Sequence, residues 1–232
     1  MKILCISDET EPLIYSKHSR EHFRECTFVI SAGDLPLSYY DYIMTIQSKI
    51  LYYVYGNHNL EQFDVDMGRL SDSNGTRFNS DGILTMSHFG GDLIDGRCCI
   101  DRSSGLIIVG LGGSMLYNGG KSQYTEAQMR WRIMKLVTRL LYNRIRYGRY
   151  LDILVTHAAP YGIGDGPDPC HRGFECFLSF MERFRPKYLL HGHIHLYDEN
   201  SNRITDYKGT KVINIYKSFV LEVAEPKGKN NG

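Results

Sequence analysis

The sequence has no apolar stretch near the roughly 18–20 residues of a membrane span, which excludes a transmembrane helix. It has little excess of either charge. With 27 basic and 26 acidic residues the formal net charge is +1, so the bulk field draws in neither nucleic acid nor an anionic membrane. No C-x-x-C unit occurs among Cys5, Cys26, Cys98, Cys99, Cys170 and Cys176; they read as reduced thiols serving as small apolar residues. The opening MKILCIS carries one lysine and an apolar run too short for a signal-peptide core; it reads as a strand, and a cytoplasmic location is expected. Neither an internal repeat nor a dividing linker is visible. What is present, 42% hydrophobic and 23% charged residues over 232 positions, is ordinary for a folded domain, expected over 1–224 with a polar tail at 225–232.

Strand-length apolar runs alternate with helical patterns. Strands are expected at 2–7, 27–31, 50–55, 152–156 and 188–190, with a short helix over 16–25. The segment 81–113 reads as antiparallel strands at 83–86, 98–100 and 106–111, with a turn at 102–105. The longest helical pattern covers 125–147. In it Trp131, Met134, Val137, Leu141 and Ile145 recur at three- and four-residue steps, which predicts that this face packs on the core. A Gly/Pro/Asp-rich loop at 158–173 leads to a helix over 174–184, and 211–216 with 218–223 is expected to close as a hairpin.

The residues with ligand chemistry fall in one kind of place. Asp8, Asp34, Asn57, His157, His193 and His195 all lie just past the carboxyl end of an expected strand, the edge where sites assemble in α/β folds. Two carboxylates, one amide and three imidazoles suit divalent ions held by oxygen and nitrogen, and the lack of thiolate disfavours a closed structural zinc site. Two metals about 3.5–4 Å apart, bridged by a carboxylate, acidify water and clamp a phosphoryl group, which is what phosphoester hydrolysis needs.

Gly33-Asp34, Gly56-Asn57-His58, Thr156-His157 and Gly192-His193-Ile194-His195 resemble the GD, GNH, isolated H and GHxH blocks of the calcineurin-like metallophosphoesterases. They occur in the family's order and, with Ser7-Asp8, span nearly the whole chain. The resemblance implies an α/β fold of two mixed β-sheets packed as a sandwich with helices outside. It implies a dinuclear metal-dependent phosphoesterase, in which a metal-bound hydroxide attacks a phosphomonoester or phosphodiester, with two divalent ions of manganese, iron or zinc. Carried over by position, Asp34 resembles the bridging carboxylate, Asp8 and His195 ligands of the first metal, and Asn57, His157 and His193 ligands of the second. His58 resembles the histidine that contacts the phosphate and assists the leaving oxygen; His171 lies in an H-x-G segment found near the substrate in some branches.

One block departs from the family. Its first motif is usually D-x-H, whereas this chain reads Asp8-Glu9-Thr10, and a threonine hydroxyl is a poor ligand near neutral pH. Glu9 or Glu11 is then the candidate replacement. Plainer readings stand beside the functional ones: an aspartate after a strand also caps helices, Asn57 suits a turn beside Gly56, His191 reads as a structural strand end, and His171 as a solvated loop histidine. Tyr39, Tyr40 and Tyr42 suit either a substrate-stacking role or a covering of structure. Arg132, Lys135, Arg139 and Arg146 read as a solvated helix face rather than an RNA-facing stripe. The expected partner is a small phosphorylated molecule, nucleotides included, with neither a membrane nor a nucleic acid. A scaffold that keeps the fold but has lost turnover and, less favoured on charge, a nuclease are the alternative functions.

Overall fold

Burial along the strands dictates the layering. β1 (Lys2–Ser7) sends Ile3 and Cys5 to one side and Leu4 and Ile6 to the other, and all four are fully buried. A strand covered on both faces lies between two layers. In the structure, a computed structural model describing residues 1–59, 91–198 and 201–224, the same holds for β2 (Cys26–Ser31), β6 (Ile107–Leu111), β9 (Ile153–Thr156) and β10 (Tyr188–His191). The strand expected at 83–86 and the tail at 225–232 lie outside the described residues.

Two mixed sheets result. One runs β13 (Lys217–Glu222), β1, β2, β3 (Leu51–Tyr53), β4 (Asp92–Leu93), parallel except for β13. The other runs β11 (Ile204–Tyr207), β12 (Thr210–Asn214), β10, β9, β6, β5 (Cys98–Ile100), parallel in the middle and antiparallel at both edges. A small pair, β7 (Ser114–Met115) with β8 (Gln123–Tyr124), stands apart. The alternate strand faces of the two sheets build the inner core, where Ile3, Cys5 and Ile30 meet Ile108, Val155 and Ile213. Outside the first sheet, Leu4, Ile6 and Val29 pack under α2 (Leu37–Gln47), with the single turn α1 (Ser19–His22) nearby. Outside the second, Val109, Leu154 and Leu189 pack under α3 (Glu126–Tyr147) and α4 (Glu175–Phe184). The fold is the two-sheet sandwich with outer helices that the motifs imply.

Three expectations change. The helix at 16–25 is only the turn Ser19–His22. Tyr39 and Tyr40, themselves part of α2, are buried, in line with the structural one of their two readings. The strands at 211–216 and 218–223 do not pair, because β12 belongs to one sheet and β13 to the other. Buried Ile215 and Tyr216 carry the chain across, and Lys217 turns it at φ 61°. The hairpin lies one strand earlier, β11 to β12, where Lys208 and Gly209 both take positive φ as a tight two-residue turn requires.

The third change concerns α3. Thr125 opens it with a capping box, its side chain accepting from the Gln128 amide while Gln128 accepts from the Thr125 amide, and Gly148 closes it at φ 74°. The buried face is Met129, Ile133, Leu136 and Leu140, not the face of Trp131, Met134, Leu141 and Ile145. Both sets repeat at helical spacing, so periodicity alone does not choose between them; the fit against β6, β9 and α4 does. Leu140→Ala is therefore expected to cost about 2–5 kcal/mol by leaving a cavity, and Ile145→Ala less than about 0.5 kcal/mol. Denaturant unfolding of the two variants checks the assignment; equal losses would reverse it.

Candidate metal centre

The carboxyl ends of β1, β2 and β3 meet those of β9 and β10 along one edge of the sandwich, and hydrogen bonds tie the two sheets together there. The His193 amide donates to both Asp8 carboxylate oxygens, at 3.0 and 2.9 Å, and His157 Nδ1 donates to the Ala32 carbonyl at 2.8 Å. Gly192 has to be a glycine, since a Cβ there would collide with Ser7 Oγ and the Asp8 carboxylate. Gly56 stands against the Asp34 carboxylate in the same way. Three of the expected ligands hold left-handed backbone: Asp8 at φ 65°, Asp34 at φ 55° and His193 at φ 66°. Each such non-glycine residue costs on the order of 1 kcal/mol, a cost that clusters where backbone serves a site.

Asp34, His157 and His193 are buried and bring their ligand atoms within 4.8 Å of one another. His157 Nε2 faces Asn57 Oδ1 at 2.9 Å and Asp34 Oδ2 at 3.2 Å. Burial pushes the His157 imidazole down, but the Asp34 charge and hydrogen bond, with Asp8 behind them, raise it to about 9. For Asp34 burial pushes up, and the facing His157 with the hydrogen bonds from His157 and the His58 amide outweighs it, holding the carboxyl below its usual range. The Asp8 carboxyl is raised, burial outweighing the pull of His157 and Ser7. Burial first, then the neighbouring His157, lowers His193 to about 3, so its imidazole is neutral. Its Nε2–H donates to the Cys170 carbonyl at 2.8 Å, which leaves Nδ1 as the ring's acceptor. This donor set fits a divalent cation: one carboxylate, one amide oxygen and a neutral imidazole surround a His157 nitrogen whose proton a cation would displace.

The remaining candidates are spread around this group. His195 is exposed; its Nδ1 lies 3.3 Å from Tyr197 Oη, and its ring stacks on Tyr216 at 4.8 Å between centroids. Among the described residues, the two clusters of three or more potential ligands include neither Asp8 nor His195. The second cluster is Cys170, His171 and His193. The His171 ring lies tilted beside that of His193, 5.1 Å between centroids, and donates from Nδ1 to Asp168 Oδ2 at 2.8 Å. The His58 side chain is exposed at the mouth, while its backbone amide donates to Asp34 Oδ1 at 2.9 Å. His191 is buried against the Gly192 carbonyl and is structural. Thr10 is exposed, and the Glu9 carboxylate is engaged by the Tyr216 hydroxyl and, at 3.2 Å, by Lys217.

Sequence reasoning missed three positioning residues. Fully buried Asn59 accepts from the Asp34 and Gly56 amides, each at 2.7 Å, and so shapes both loops; its place two residues after Asn57 was the available signal. Tyr117 Oη accepts from Asn57 Nδ2 at 3.3 Å, and Cys170 borders His193. No local pattern marks either.

The family model for calcineurin-like phosphoesterases matches residues 1–197, and the chain belongs to that family of hydrolytic phosphoesterases that bind divalent metals. The crystal structure of TT1561 from Thermus thermophilus is similar in fold, with a TM-score of 0.56 at 12% identity over 93% of this chain and 88% of that one. An archaeal phosphodiesterase, 14% identical, aligns over 98% of this chain and 96% of its own with a TM-score of 0.42. No curated protein matches the chain. Among the described residues no helix is long and apolar enough to cross a membrane.

Proposed function

We propose that this chain hydrolyses a small phosphomonoester or phosphodiester at the edge where the two sheets meet, using two divalent ions of manganese, iron or zinc. The observation that carries the reading is the convergence of Asp34, His157 and His193 within 4.8 Å, with Asn57 Oδ1 2.9 Å from His157 Nε2. When bound, the ions supply charge neutralisation on the phosphoryl oxygens and lower the pKa of water. Asp34 is the anion between the two sites; Asp8 and His195 complete one, and Asn57, His157 and His193 the other. His58, exposed beside Asn57, donates the proton to the leaving oxygen. Asp168 accepts from His171 Nδ1 and so fixes that ring beside His193, at the border of the substrate. Turnover of chromogenic mono- and diesters by metal-reconstituted protein tests the reading. Its absence with all three metals would favour the second reading, a fold-keeping scaffold, for which Thr10 speaks.

The two sites are expected to differ in affinity. Glu9 is committed to Tyr216 and Lys217, so it does not replace the imidazole missing at position 10. One site then has four protein ligands and the other three. Calorimetric titration should resolve one tight and one weak ion, and Thr10→His should tighten the weak one and move the metal dependence of activity to lower concentration. Two equal affinities in the native chain would refute the asymmetry.

A further inference from the structure

Helix α3 has two apolar stripes, and only one is covered. Opposite the buried stripe, Trp131, Met134, Leu141, Tyr142 and Ile145 are 64%, 57%, 45%, 50% and 84% exposed. At 3.6 residues per turn these five fall within about 100° of the helix circumference, a ridge rather than scattered exposure, with exposed Thr138 as its polar member. The helix carries a single acid, Glu126, against Arg130, Arg132, Lys135, Arg139, Arg144 and Arg146. Arg132 turns inward to Asp95, and Arg130 pairs with Glu126 at 3.2 Å. Of the rest, Lys135, Arg139 and Arg146 border the ridge on one side and Arg144 on the other. Lys135 lies over the Trp131 ring at 5.7 Å and Arg139 over Tyr142 at 5.4 Å, so their stems follow the apolar surface and their charges stand at its rim. Past the helix end, Arg144, Arg149, Arg183 and Arg185 rim a cleft of about 420 Å³ in which Glu182 is the one acid.

We propose that this face docks on an anionic phospholipid membrane, α3 lying along the interface with its ridge among the acyl chains and its bases at the headgroup phosphates. The arrangement is that of an interfacial helix: an apolar ridge, a tryptophan and a tyrosine at its margin, and cations along both sides. The helix is about 33 Å long, and its outward ridge is convex, which suits a deformable surface that needs no matching groove. A second copy fits poorly, since joining two such ridges would set the like-charged rims against each other. Nucleic acid would engage the bases and leave Met134, Leu141 and Ile145 in water. The near-neutral charge of the whole chain conceals the feature because the acids lie elsewhere.

The chain reports on this face directly, because Trp131 is its only tryptophan. With vesicles of phosphatidylcholine containing about a third phosphatidylglycerol, Trp131 emission should shift to the blue and the full chain should float with the vesicles. Phosphatidylcholine alone, or high salt, should weaken binding by about tenfold or more. Met134→Ser with Ile145→Ser should abolish flotation, and Lys135→Glu with Arg139→Glu should reduce it at least tenfold; all four residues are exposed, so circular dichroism should be unchanged. Flotation by the variants as strong as by the native chain would overturn the proposal. So would a blue shift without vesicles that tracks a concentration-dependent dimer in sedimentation, which would give the ridge to a second copy. Saturable binding to an acidic protein by a chain that ignores anionic vesicles would do the same.

Discussion

Asp34→Asn is expected to lower turnover by about 10³-fold or more, a loss of about 4 kcal/mol at the transition state, with the fold intact. The carboxylate is buried, accepts from the His58 amide at 2.9 Å and faces His157 Nε2 at 3.2 Å. Asparagine has the same shape and still accepts from that amide, so the loop that carries it keeps its geometry. What is lost is the negative charge, and with it the anion shared between the two proposed ions. His157 also loses the neighbour whose charge and hydrogen bond raise its pKa. Steady-state kinetics, together with an unchanged circular dichroism spectrum, checks the result. Activity within about tenfold of the native chain would remove Asp34 from the bridging position.

His58→Ala should lower turnover by roughly 10²–10⁴-fold while leaving metal content unchanged. The tie between this residue and the site's framework runs through its backbone amide, which donates to Asp34 Oδ1 and survives the substitution. The exposed imidazole is thus separable from the geometry around it. Elemental analysis alongside kinetics distinguishes the roles, because metal lost in proportion to activity would make His58 a ligand.

The strand ends were legible because each is a short apolar run broken by a polar turn, and β1, β2, β9 and β10 fall where those runs fall. The six candidate ligands were visible for the same reason. Three-dimensional choices were not. The two stripes of α3 are equally periodic, and packing against β6 and β9 selects Met129 and Leu140 over Trp131 and Ile145. The separation of β12 from β13 depends on a crossing between sheets at Ile215 and Tyr216, which in sequence looks like a turn. Tyr216 itself, stacked on His195 and bonded to Glu9, acts across 207 residues of chain, beyond the reach of any local pattern. The stacking of His195 on that ring, away from the buried cluster, was hidden in the same way.

The bond from the His193 amide to Asp8 spans 185 residues, and β13 pairs with β1 along Lys2↔Glu222. A chain emerging from the ribosome therefore makes Asp8 early and holds it without the His193 amide until that residue arrives, while Asp34 and Asn57 wait for His157. The edge strand beside β1 comes later still. Hydrolytic competence thus waits for nearly the whole domain, and a nascent or truncated chain that keeps its first sheet does not gain a half-active centre. Such a contact map also places this fold among the slower to form, since the pairings that close it have the largest loop-closure entropy to overcome.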